Sequence, residues 1–541
     1  MITRAVLTFL LRGITIIIIG LSPVYSFAQD QSLNANAEPP IVITLDEAVQ
    51  IAMLRNLEIQ NTRLDLDMIN SQITEGYSEL YPQIEFASSY TRNMVQVNPF
   101  TGSSAGGFFS SLGLVDWLAF NEQSRTDGDP DTSPIPMEEY FLRQEQGIRD
   151  AGVQVQRDTN PFAIPNQFRT GFALTQKLFD ARVIFGAKGA KKWLPPFTSA
   201  GILRQEQLLV DDVKRVYYRT RLVEEEIIVT RQSVERARKT RDELARQVAL
   251  GVLPKFQRLS AEVELANVET DLVEVENRVE ASKDALKLLL GVKPNMFIVL
   301  RGSLDEGLRK EFIPSPINEA VAVALNSRPD LEQARINVEL EKVQYSVAKT
   351  EFYPDLSAFL NVNYLGNVPD SRTILIQDQD DPFSYTSTEL AYFSPFYWGW
   401  DMNGGFRLSW NLFNGFATTE RVQQRMIAIE KAELGREYLY NSIQLEVERA
   451  LRDVAAADRR MQSQEKNVAN AELNYTFVDA RLREGVASPI ELREASDQLD
   501  QSRLNFLRAV HDYLVSITAY ETAIGAPTNQ LIQSSTLDVE Q

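Results

Sequence analysis

GFALTQKLFD at residues 171–180 and GFRLSWNLFN at residues 405–414 read almost alike, 234 positions apart. Each opens on a small residue and an aromatic, alternates through Phe172, Leu174 and Gln176 or through Phe406, Leu408 and Trp410, and closes on Asp180 or Asn414. A period of two marks a β-strand with two unlike faces. A strand that occurs twice points to an internal repeat.

Reading outward, LDEAVQIAMLRNLEI (45–59) falls on INEAVAVALNSRPDL (317–331) at an offset of 272, and ELYPQI (79–84) falls on EFYPDL (351–356) at the same offset. Farther along, the 234 offset aligns Gly171 and Phe172 with Gly405 and Phe406, Gly251 with Gly485, Ala261 with Ala495 and Gly291 with Gly525. One length difference, between the YP and GF motifs, separates the registers. The chain is two copies of one unit, at 42–291 and 317–525, with the longer insertion in the first.

Each copy opens with a helical pattern, at 42–79 and 317–350, where Ala48, Val49 and Ala52, and likewise Ala320, Val321 and Ala324, share a face. Tyr81-Pro82 and Tyr353-Pro354 end it, because proline disfavours the α conformation in the residue before it. Alternating segments follow at about 83–93 and 169–178 in the first copy, and at about 355–365 and 403–412 in the second. They have the length of tilted membrane strands; a soluble hairpin has the same alternation. Helical hairpins are expected over 182–290 and 416–523, with Val210, Val213 and Tyr217, and Ile443, Val447, Ala450 and Val454, in helical rhythm. FGAKGAKKWLPPFTSAG (185–201) is expected to kink or delay the first of them. The segment 416–483 would be about 100 Å long as a helix. Opening and return helices, stacked end to end, match its length and give a two-column rod.

Residues 1–28 combine Arg4 and Arg12, an apolar run from Ile14 to Leu21, and Ser26 and Ala28, a secretory signal peptide rather than a retained anchor, followed by an extension at 29–41. Elsewhere nothing supplies the roughly 18 apolar residues of a membrane helix. An integral mature protein must then cross as a closed β-barrel. Four strands cannot close one, since bacterial barrels begin at about eight, so closure requires copies of the chain in cyclic symmetry. Periodicity does not fix the number at three.

The chain has no Cys, which excludes disulfides, thiolate sites and a lipid on an N-terminal cysteine. A net charge of −19 opposes nucleic-acid binding. The one histidine, His511, lies in a helical pattern as a packed or surface residue. With no Gly-rich phosphate loop and no HExxH, the chain is not expected to be an enzyme or to carry a cofactor or metal.

With these motifs in order and doubled, the chain resembles the TolC-like bacterial outer membrane efflux proteins over about 42–525. The strand borders Tyr81, Pro82, Gly171, Phe172, Tyr353, Pro354, Gly405 and Phe406 and the turns at Gly251 and Gly485 carry the likeness. The resemblance implies a mostly α fold with a membrane β-barrel: a homotrimer whose single 12-stranded barrel, four strands per chain, continues into a long periplasmic α-helical barrel. It implies a passive export duct in the outer membrane and its lipid, working with a periplasmic adaptor and an inner-membrane transporter. The rival reading is a periplasmic structural or adaptor-like coiled-coil protein without a pore.

Family members draw their periplasmic hairpin tips together at an acidic constriction. Counting from Gly485, the matching positions hold Glu491 and Glu494, rings of which would favour cations. The other reading makes them acids of a helix first turn, where exposed N–H groups favour them. The family's arginine and tyrosine near this turn are replaced by Ala487 and Leu482, so its latch is not carried over intact; Arg481 and Arg483 are the alternative latch candidates, or solvated bases of a last turn. The turns Gly251, Val252, Leu253, Pro254 and Gly485, Val486, Ala487, Ser488 are adaptor-docking candidates as well as helix reversals.

The insertion at 94–167 is rich in Gly, Ser, Asp and Pro and is expected to be an external loop without regular structure. The second copy's loop, 366–402, carries YFSPFYWGW, which suits an interfacial aromatic belt. A linker at 292–316 joins the copies, and a tail at 526–541 ends the chain.

Overall fold

The computed structural model describes residues 41–95, 104–128, 132–153, 164–304, 312, 313 and 315–526. The signal peptide, most of the N-terminal extension and nearly all of the tail lie outside the described residues.

Strand β1 (Ile41–Ile43) leads into α1 (Leu45–Arg55) and α2 (Leu57–Ser78), then β2 (Gln83–Arg92). Helices α3 (Ser104–Thr126) and α4 (Met137–Asp150) precede β3 (Asn166–Phe179), followed by α5 (Ala181–Ala249), α6 (Lys255–Leu290) and β4 (Ile298–Leu300). The second copy runs α7 (Ile317–Ser327), α8 (Pro329–Lys349), β5 (Asp355–Val368), a small hairpin of β6 (Thr373–Gln377) and β7 (Tyr385–Glu389), β8 (Trp398–Ser409), α9 (Ala417–Arg483) and α10 (Pro489–Ala523).

Strands β2, β3, β5 and β8 form one antiparallel sheet in that order. Its register sorts the side chains into rows. On one face Phe86, Phe172, Val362 and Met402 lie in line, with Tyr90 opposite Phe168 and Tyr364 opposite Trp400. Phe406, Trp400 and Phe86 are 76%, 76% and 59% exposed there, so among the described residues nothing covers this part of the apolar face. On the other face Glu85, Ala173, Asn361 and Asn403 share a row, and the Asn361 amide donates to Asn403 Oδ1 at 2.9 Å. β2 and β8 each have one unpaired edge. Among the described residues no helix is long and apolar enough to cross a membrane.

The helices form four columns. α5 packs beside α1, α2 and α6 on one side and beside α8 and α10 on the other, and α9 packs against α7, α8 and α10. At 69 and 67 residues, α5 and α9 are each about 100 Å long.

The shorter helices meet end to end at two equivalent joints. In the first copy the opening helix breaks at Asn56, whose Oδ1 accepts from the Glu58 and Ile59 amides while its Nδ2 donates to Leu289 O at 2.8 Å. In the second it breaks at Arg328, 4% exposed, which donates to Ala523 O and pairs with Asp330 and Glu446 at 2.6 Å each. The uninterrupted helices expected at 42–79 and 317–350 are therefore each two helices, because the return helix ends against the break and needs its polar groups. Gly291 and Gly525, both left-handed (φ +64° and +68°), end α6 and α10 here, and a Cβ on Gly291 would run into the Arg55 backbone. The two largest apolar clusters sit at these joints: Ile43, Ala48, Val213, Leu286, Leu290 and Ile298 around one, Ala324, Ile443, Val447 and Tyr520 around the other. β1 and β4 pair in parallel over the first, giving the 292–316 linker a strand.

Three further expectations are corrected. Helix α5 is not delayed to beyond Pro195 and Pro196: it starts at Ala181 and runs through both, its flank supported by α8, where Gly186 and Gly189 sit against Val347 and Val343. The 94–167 insertion holds two helices: Asn121 accepts from the Ile135 amide and donates to its carbonyl, and Phe120 and Tyr140 pack on Phe383 of the other loop at 5.2 and 5.4 Å. The 403–412 strand instead spans Trp398–Ser409. Asp180 caps α5 through Val183 N, and Asn414 Oδ1 accepts from Thr418 N at 3.4 Å in the first turn of α9, across the left-handed Gly415 and Phe416.

Gly291→Ala should therefore cost about 2 kcal/mol or more, combining backbone strain with a collision. Gly251→Ala, at φ +76° with open space around it, should cost about 1 kcal/mol from strain alone. Denaturant unfolding of the two variants beside wild type checks the order.

Candidate functional site at the hairpin tips

Each hairpin reverses the same way. Gly251 and Gly485 take left-handed angles, the Val252 amide reaches back to Gln247 O at 3.0 Å, and the Val486 amide reaches Arg481 O at 2.8 Å. These six-residue closures satisfy carbonyls that the helix end leaves open. Pro254 and Pro489 then start the return helices. Val252, Val486 and Ile490 are 69%, 67% and 62% exposed, so both tips present apolar side chains to water.

The structure brings Glu491 and Arg481 together and leaves Glu494 and Arg483 apart from them. Glu491 Oε1 accepts from Ser488 N at 3.2 Å and from Ser488 Oγ at 3.0 Å, while the Glu491 amide donates to Ser488 Oγ at 3.3 Å, a complete capping box. Arg481 Nη1 lies 3.9 Å from Glu491 Oε2 across the turn. Those Ser488 hydrogen bonds, backbone then hydroxyl, hold the Glu491 carboxyl below the ordinary glutamate range. Arg483 pairs with Asp479 on its own helix at 2.7 Å. Glu494 is exposed and makes no ion pair among the described residues. Burial raises the Asp497 carboxyl above the ordinary aspartate range, against Arg493, with the charges of Asp500 and then Glu494 adding to it.

Sequence reading missed the ties between the two hairpins. Arg236 on α5 pairs with Asp500 on α10 and its Nε reaches Ser496 Oγ at 3.3 Å. Arg503 Nη1 donates to Gln232 Oε1 at 2.9 Å, and the buried Glu226 lies between Arg278 (3.3 Å) and Arg508 (3.4 Å). Apart from Arg278, which shares a hairpin with Glu226, these partners lie more than 250 residues apart, and each alone reads as a solvated polar side chain. Between the hairpins lies a cavity of about 180 Å³, walled by Leu244, Phe256, Val268, Tyr475 and Ile490.

Comparisons with known proteins agree with this architecture. Residues 320–526, the second repeat, match the family model "Outer membrane efflux protein". The chain is 23% identical over 241 residues to the probable outer membrane lipoprotein SilC of Salmonella typhimurium, covering 43% of this chain and 47% of that protein. It is 22% identical over 274 residues to the outer membrane protein TolC of Vibrio cholerae, covering 50% and 57%. The matches thus span about half the length of these curated relatives. The CusC structure, described with transmembrane channel formation, superposes with a TM-score of 0.61 at 15% identity over 91% of this chain and 95% of that one. The Campylobacter jejuni CmeC outer membrane channel gives 0.61 at 14% identity over 91% and 88%. The TolC-like resemblance and the outer-membrane location expected from the sequence are borne out. Unlike a lipoprotein, this chain has no cysteine to carry a lipid.

Ser488→Ala should speed hydrogen exchange of the first α10 amides at neutral pH. In wild type the same protection should be present above the ordinary glutamate value and fade as pH falls through the lowered Glu491 value, because protonation removes the acceptor charge. Exchange followed by mass spectrometry from pH 7 to 3 reads both.

Proposed function

We propose that copies of this chain, three in number, close their sheets into a 12-stranded outer membrane barrel. Their helices continue it as a periplasmic tube, a passive duct that receives cargo through an adaptor from an inner-membrane transporter. The observation that carries this reading is the four-stranded sheet with an exposed apolar face, a polar opposite face and two unpaired edges. An unpaired edge in lipid leaves backbone groups unsatisfied, which a second copy relieves.

The two free sides support it. On the β2 side, α2 and α6 expose Leu64, Met68, Leu259 and Val263; on the β8 side, α9 exposes Leu434, Tyr438, Leu473 and Phe477. Unlike sides that complement each other generate a closed ring by rotation. The polar sheet face, with Glu85, Asn361, Asn363, Asp401 and Asn403, then lines the water-filled bore, and rows of Phe, Trp and Met face lipid.

At the periplasmic end, Glu494 is the freer of the two gate candidates, since Glu491 is engaged by Ser488 and Arg481. The exposed tips around Val252 and Val486 are the adaptor-docking surfaces.

Purified protein in planar bilayers should show discrete cation-preferring openings. Glu494→Ala should reduce that preference more than Glu491→Ala, and Arg236→Ala, which frees the hairpins, should raise open probability. Folded oligomer without conductance would support the adaptor-like reading instead; no effect of either glutamate variant would keep the duct and remove the acidic gate, and equal losses would keep the gate and overturn the ranking of Glu494 over Glu491.

A further inference from the structure

From Ala181 to Gln205 the chain contains no Asp or Glu, although acids outnumber bases 74 to 55 overall. The same stretch holds Lys188, Lys191 and Lys192. All three are exposed and none has a carboxylate partner among the described residues; Lys192 Nζ lies over the Trp193 ring at 4.4 Å. The corresponding stretch of the second copy, 415–439, differs in holding four glutamates: Arg421 pairs with Glu351 at 2.8 Å and Arg425 with Glu341 at 4.0 Å, and Lys431 and Arg436 stand among Glu430, Glu433 and Glu437 in the sequence. Unneutralised cations are thus concentrated at the top of one helix of an acidic protein.

Their position is defined by the fold. α5 starts directly below the last residue of β3, and Asp180 caps it there. Counting about 100° per residue, Ile184, Phe185, Lys188, Lys191 and Lys192 share an arc of about 120°. Outside that arc Val183 and Ala187 are buried and Gly186 and Gly189 lie against α8, while Arg182 is a further exposed cation off the arc in the first turn. Ile184 and Phe185 are 37% and 51% exposed and continue downward the apolar surface of Leu178 and Phe179, which are 49% and 40% exposed. Going down from the sheet, the arc is apolar for a turn and then basic. The lysines lie roughly 10–17 Å below the start of the helix, and their flexible stems let the ammonium groups rise toward the sheet while their methylenes cover apolar surface. Acyl chains followed by a phosphate layer present the complementary order.

We propose that Lys188, Lys191 and Lys192, beneath the Ile184–Phe185 step, bind the phosphate headgroups of anionic phospholipid in the periplasmic leaflet. The inference rests on the barrel reading above. Its chemistry is attraction of a basic cluster to anionic lipid, which grows with each added Lys, with the apolar step engaging the acyl chains.

Native mass spectrometry of the full-length, detergent-extracted protein titrated with phosphatidylglycerol or phosphatidylethanolamine tests it. Wild type should retain the anionic lipid about tenfold better. The triple variant K188Q/K191Q/K192Q should lose that preference, and K188R/K191R/K192R should keep it, which shows that charge rather than a folding defect is read. No preference in wild type, or a preference unchanged in the glutamine variant, would overturn the proposal. So would displacement of the lipid by inorganic phosphate at equal concentration, which marks a simple anion site. Loss of the oligomer in the glutamine variant would overturn it too, by assigning the lysines to a second copy. Conductance measured on the same preparations separates the two readings: pores without lipid preference contradict this site alone, and lipid preference without pores contradicts the duct alone.

Discussion

Backbone hydrogen bonding at the sheet edge is the constraint on which the rest depends. A four-stranded sheet with one apolar face is stable in lipid only if its two outer strands find partners. The duplication places those edges so that each copy of the chain ends one side on β2 and the other on β8, with α2 and α6 below the first and α9 below the second. The helical columns inherit the same polarity as the sheet, so in the proposed assembly one rotation closes both barrel and tube.

Within a chain, stability is distributed unevenly along the rod. Large buried side chains gather at the two joints, where Asn56 and Arg328 receive the ends of α6 and α10. Toward the tips the apolar cluster shrinks to Val223, Val275 and Val279, and the hairpins are held to each other by Arg236, Arg503 and Glu226. Partly exposed ion pairs are worth little each and weaken with salt. The arrangement fixes the middle of the helical rod and leaves the hairpin tips the easier part to move, as local motion follows low apolar burial.

Much of the fold was legible because repetition amplifies weak signals. One alternating segment is ambiguous between a soluble hairpin and a membrane strand, whereas GFALTQKLFD and GFRLSWNLFN in matched contexts are informative. What stayed illegible depended on distant partners. The break at Asn56 follows from the return helix that abuts it, and nothing in RNLEI alone requires both an end and a new start; at Arg328 the sequence did carry a signal, because Pro329 keeps Arg328 extended and opens the next helix. The helices of the 94–167 insertion depend on Asn121 clamping Ile135 and on Phe383 from the other copy's loop. At the tips, acids at Glu491 and Glu494 were visible, but their division into a capped and a free carboxylate came from Ser488 and Arg481.

The absence of native cysteine makes the central claim directly measurable. Single cysteines placed on β2 at Ala87 or Ser89 and on β8 at Asn403 or Gly405, combined pairwise in one chain, should form disulfides between copies on oxidation in native membranes. The account predicts a ladder on non-reducing gels that stops at the trimer, with cross-linking restricted to pairs of one register. Monomer alone, or a ladder that runs on past three, would contradict closure of the barrel by the β2 and β8 edges.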